Sequence, residues 1–163
     1  MAAQAPEFDL KQIVLFDGTF GPKETERLTQ AVCGADSKVF DSLREAVGEL
    51  EDKENREELS PAGRVRLGVG FYLTGRYDKA AEKLKKGDSG ALALFYLAKS
   101  CFALQEYDQA LKYYDQSQKA GYGKDACTLG KAEVYRYKNE PEKALAELDA
   151  LSGAVEQTAE YLY

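Results

Sequence analysis

The chain contains no histidine and no tryptophan in 163 residues, and only three cysteines, four prolines and one methionine. Without histidine, the commonest general base and the commonest metal ligand are both missing. Cys33, Cys101 and Cys127 are too few and too far apart for a disulfide framework, and no CxxC pair supplies zinc-ligand spacing. No stretch approaches the roughly 18 consecutive apolar residues of a membrane-spanning helix. The opening MAAQAPEFD has no basic region followed by an apolar run, so no targeting segment is expected and a cytoplasmic setting is. Acidic residues outnumber basic ones, 28 to 22, for a net charge of −6, which argues against nucleic acid as a partner. The carboxylate pairs Glu57-Glu58 and Glu140-Glu142 read as solvated helix ends. Gly18-Thr19-Phe20-Gly21 lacks the Gly-Lys-Ser/Thr of a phosphate loop and reads as a turn. Neither an enzyme nor a cofactor or metal site is expected.

What the chain does have is tyrosine, 11 of them, and a strong helical period. Between Leu94 and Ala120, Leu94, Leu97, Ala98 and Cys101 mark one amphipathic helix, and Tyr107, Ala110, Leu111 and Tyr114 mark another. A tight turn near Gln105-Glu106 forces the two antiparallel. The pattern recurs. An offset of 30 residues aligns Tyr77 with Tyr107, Gly75 with Gln105, Ala80 with Ala110 and Leu84 with Tyr114. An offset of 34 in the other direction aligns Pro141, Ala144 and Leu148 with Tyr107, Ala110 and Tyr114, and Tyr135 with Cys101. Self-similarity at this period is the signature of a helical-hairpin solenoid. Cys101 falls on the apolar stripe, so a buried reduced thiol is expected there. Tyr77, Tyr107, Tyr114 and Tyr135 fall on repeat positions, where packing between helices is expected.

The unit Leu67-Gly68-x-x-Phe71-x-x-x-Gly75-x-Tyr77-x-x-Ala80 resembles the tetratricopeptide repeat (TPR), and three such units cover residues 61–151. The resemblance departs from the pattern where Arg64, Leu94 and Thr128 stand at the tryptophan-type position, and where the first unit is four residues short, around Gly87-Asp88-Ser89-Gly90. It implies an all-α, right-handed superhelical solenoid of antiparallel hairpins. It also implies a concave groove lined by Val65, Val69 and Tyr72 from the first unit, by Phe95, Lys99 and Phe102 from the second, and by Leu129, Glu133, Arg136 and Tyr137 from the third. The family's carboxylate clamp is absent, since its basic and amide positions are held here by Val65 and Val69.

Upstream, residues 1–22 form an N-terminal segment of uncertain structure, in which a helix from about Asp9 could dock Leu10, Ile13 and Val14 onto the array. Residues 23–56 read as a degenerate hairpin, with Leu28, Ala31 and Val32 on one helix and Phe40, Leu43, Val47 and Leu50 on the next. Ser60-Pro61 starts the clear array, serine as cap and proline in the first turn. After Ser152-Gly153 a terminal helix, 154–163, is expected to end without a partner. The function implied is a non-enzymatic scaffold that takes a peptide or helix of a protein partner into its groove. The alternative is a self-assembling unit, or a piece of a longer array, associating through Tyr161, Leu162 and Tyr163.

Overall fold

Local chemistry sets where each helix begins. In the computed structural model, which describes residues 9–16, 18–34 and 36–151, Asp9 accepts a hydrogen bond from the Gln12 amide to cap α1, Leu10–Leu15. Helix α2, Pro22–Cys33, opens with proline in its first turn and with the Gly21 amide donating to Glu24 at 2.9 Å. Asp36 caps α3, Ser37–Arg56, and Ser60 caps α4, Pro61–Leu73, each by accepting a backbone N–H near the helix start. The terminal helix expected over residues 154–163, with Tyr161, Leu162 and Tyr163, lies outside the described residues.

From α4 onward the chain is a run of antiparallel pairs: α4 with α5 (Tyr77–Lys85), α6 (Ala91–Ala103) with α7 (Tyr107–Lys119), and α8 (Lys124–Tyr137) with α9 (Pro141–Leu148). The three hairpin turns are built alike. Gly75, Gln105 and Asn139 take positive φ, at 79°, 63° and 60°. The next amide then reaches back to the carbonyl five residues earlier: Arg76 to Phe71 at 2.8 Å, Glu106 to Cys101 at 2.8 Å and Glu140 to Tyr135 at 2.9 Å. This closes the carbonyls at the end of the first helix and reverses the chain within three residues.

Each pair then buries its stripe against itself and against its neighbours, so the core runs along the array. Phe71, Ala80, Ala98, Cys101 and Ala110 are fully buried. Three helical glycines permit close approaches, Gly70 among them, where a Cβ would sit 2.6 Å from Val47 of α3. A Cβ on Gly68 would sit 2.6 Å from Leu84, and one on Gly130 would sit 2.4 Å from the Tyr114 ring. Burial pushes the Cys101 thiol up to about 11, which keeps it protonated and inert. The chain is an all-α solenoid, with no strand among the described residues. Among them, too, no helix is long and apolar enough to cross a membrane.

The first three helices do not repeat this scheme. Helix α3 pairs chiefly with α1, whose Leu10 and Val14 are buried, while α2 rests on both α3 and α4.

Candidate partner-binding face

The first helix of each pair contacts the first helix of the next, α4 with α6 and α6 with α8, so these three form one inner face. Side chains that point away from the hairpin partner collect there, and they form two separate clusters.

The first lies on α4 and α6. Tyr72 packs edge-on to Tyr96 with ring centroids 5.4 Å apart, and Phe95 stacks nearly parallel on Tyr122 at 4.1 Å. The Lys99 ammonium sits between them, 5.5 Å from the Tyr72 ring and 5.5 Å from the Phe95 ring. Lys99 makes no ion pair among the described residues. Burial lowers its pKa, with nearby Glu133 pulling the other way. Burial likewise raises the phenols of Tyr72 and Tyr122, so both stay neutral.

The second cluster lies where α6 and α8 end. Phe102 meets Tyr137 edge-on at 5.1 Å and Tyr107 at 6.0 Å. The Arg136 guanidinium lies 5.4 Å from the Tyr137 ring and within 4.0 Å of Glu133. Tyr137 remains 58% exposed, whereas Phe102 and Leu129 are partly buried.

Two of the ten residues expected on this face are not on it. Val65 and Val69 are buried, Val69 completely, and both belong to the hydrophobic core. Val65 packs at the turn after α5, where a Cβ on Gly87 would sit 2.6 Å from its side chain. Arg66, itself buried in α4, donates from its guanidinium to the carbonyl oxygens of Phe16 and of Gly18, the latter at 2.8 Å, and stacks 5.2 Å from the Phe20 ring. Helices α1 and α2 also rest against α4. Arg66 was not foreseen from the sequence, although an arginine between Val65 and Leu67 on a largely apolar helix was the available signal.

No protein-family profile matches the sequence. No curated protein matches it either. Among solved structures, one that resembles it is MamA, with a TM-score of 0.59 at 16% identity over 78% of this chain and 76% of that one. The fold is TPR-like. At that identity the likeness concerns the path of the chain and not its ligands. Of the residues expected on this face, Glu133, Arg136 and Tyr137 of α8 are the exposed ones. Among the described residues, no cluster of three or more His, Cys, Asp or Glu side chains could hold a metal ion.

Proposed function

We propose that this chain is a non-enzymatic scaffold that binds a peptide or helix of a protein partner on its inner face, with Phe102 and Tyr137 as anchors and Lys99, Glu133 and Arg136 setting register. One observation carries this reading: Tyr137 is 58% exposed yet held edge-on against Phe102 with a guanidinium beside it. An aromatic fixed in place but left open loses little side-chain freedom when a partner covers it, the property of an interface anchor. The TPR-like fold, whose general use is protein interaction, agrees with it.

The test is a pulldown with the unaltered chain, Phe102→Ala and Tyr137→Ala, each checked by circular dichroism. Each truncation is expected to weaken partner capture by about 2 kcal/mol, roughly thirtyfold, with helix content unchanged. Equal capture by all three would reject the assignment.

A further inference from the structure

Two departures from the repeat pattern meet at one place. The first unit is four residues short at the loop between α5 and α6, and Leu94 stands on α6 where the pattern has tryptophan. A leucine fills less space than an indole. Beside it lies a cleft of about 420 Å³, within the roughly 300–1,000 Å³ of small-molecule sites. Leu94 and Leu97 of α6 give it an apolar side. Lys85 at the end of α5, Ser89 in the loop, and Tyr113 and Gln116 of α7 also line it.

The walls are held by groups outside the cleft. Asp88 accepts from the Gly90 amide at 2.8 Å, which keeps the loop tight with Ser89 at φ 56°. Ser117 donates to the Ala91 carbonyl at 2.7 Å and pins α7 to the start of α6. The polar groups of the lining do no such work. Among the described residues the side chains of Lys85, Ser89, Tyr113 and Gln116 make no hydrogen bond or ion pair. Neighbouring Lys83 and Lys86, by contrast, pair with Glu54 and Glu82. Lys85 is left as an uncompensated cation beside an apolar wall.

We propose that this cleft binds a small amphiphilic anion, whose apolar body lies on Leu94, Leu97 and the Tyr113 ring and whose acidic group pairs with Lys85. Ser89 and Gln116 are further donors to that group. The site is distinct from the inner face. Leu94 and Leu97 lie about 140° round α6 from Phe95, Lys99 and Phe102, so this proposal and the proposed function stand or fall separately.

The probe is anilinonaphthalene sulfonate, which joins an aromatic body to one anionic group. Titrated into the full chain and followed by backbone amide chemical shifts, it is expected to saturate one site, with shifts centred on Lys85, Ser89, Leu94 and Tyr113. Leu94→Trp fills the cleft and Lys85→Gln removes its charge, and each should weaken binding about tenfold. Lys85 is exposed, so Lys85→Gln keeps the test decisive even where the tryptophan disturbs packing. Lys23→Gln, which removes an exposed charge from α2, should bind as the unaltered chain does. Shifts centred elsewhere, no saturation, or equal affinity in Lys85→Gln and the unaltered chain would overturn the proposal.

Discussion

At the scale of single residues, the hairpin turns are where sequence and backbone disagree. Gln105 sits at φ 63° in a place where Gly75 sits at 79°. A side chain in the left-handed region costs about 1 kcal/mol, which glycine avoids. Gln105→Gly is therefore expected to stabilise the chain by about 0.5–1 kcal/mol, read as a higher midpoint in urea with an unchanged slope. Gly130 shows the opposite sign. A methyl group there would meet the buried Tyr114 ring at 2.4 Å, so Gly130→Ala should cost about 1–3 kcal/mol in the same measurement despite the better helix propensity of alanine. The turn at Gly75 was legible from residue type. The need for a glycine at 130 was not, because the ring it faces comes from the preceding helix.

At the scale of elements, α3 is tied to α5 by charges. Glu51 accepts hydrogen bonds from Arg76 at 2.9 and 3.1 Å and from Lys79 at 2.8 Å, and Lys83 pairs with Glu54 at 2.7 Å. Partial burial pushes the Glu51 carboxyl up, but the hydrogen bonds and charges of Arg76 and Lys79 outweigh it and hold the carboxyl below its usual range. A folded-state pKa below the unfolded one means that the unfolded chain binds the extra proton first. The stabilisation is thus present above the usual 4.5 and is lost as pH falls through the folded value. Glu51→Gln should cost about 1 kcal/mol at pH 7 and close to nothing at pH values well below the carboxylate range, read from thermal melts across that range. The hairpins themselves were readable in advance because Tyr, Ala and turn residues recur at fixed offsets. The seating of α2 was not readable. Its amphipathic stripe predicts a buried face but does not say which neighbour buries it, and Arg66 fixes the preceding loop through backbone carbonyls that carry no side-chain signature.

At the scale of the whole molecule, the inner face is divided. Val65 and Val69 of α4 lie in the core, whereas Arg136 and Tyr137 are exposed and Phe102 is partly buried where α6 and α8 end. The repeat pattern alone would distribute binding evenly along the array. The structure instead concentrates the available surface where α6 and α8 finish. The most direct measurement is therefore site-specific photo-crosslinking in the native cell extract, with a benzophenone side chain at position 137 and, as control, at Lys112, an exposed position on α7. The account predicts a discrete crosslinked protein from position 137 that Phe102→Ala diminishes, and none from position 112. Equal products from both positions, or products from 112 alone, would contradict it.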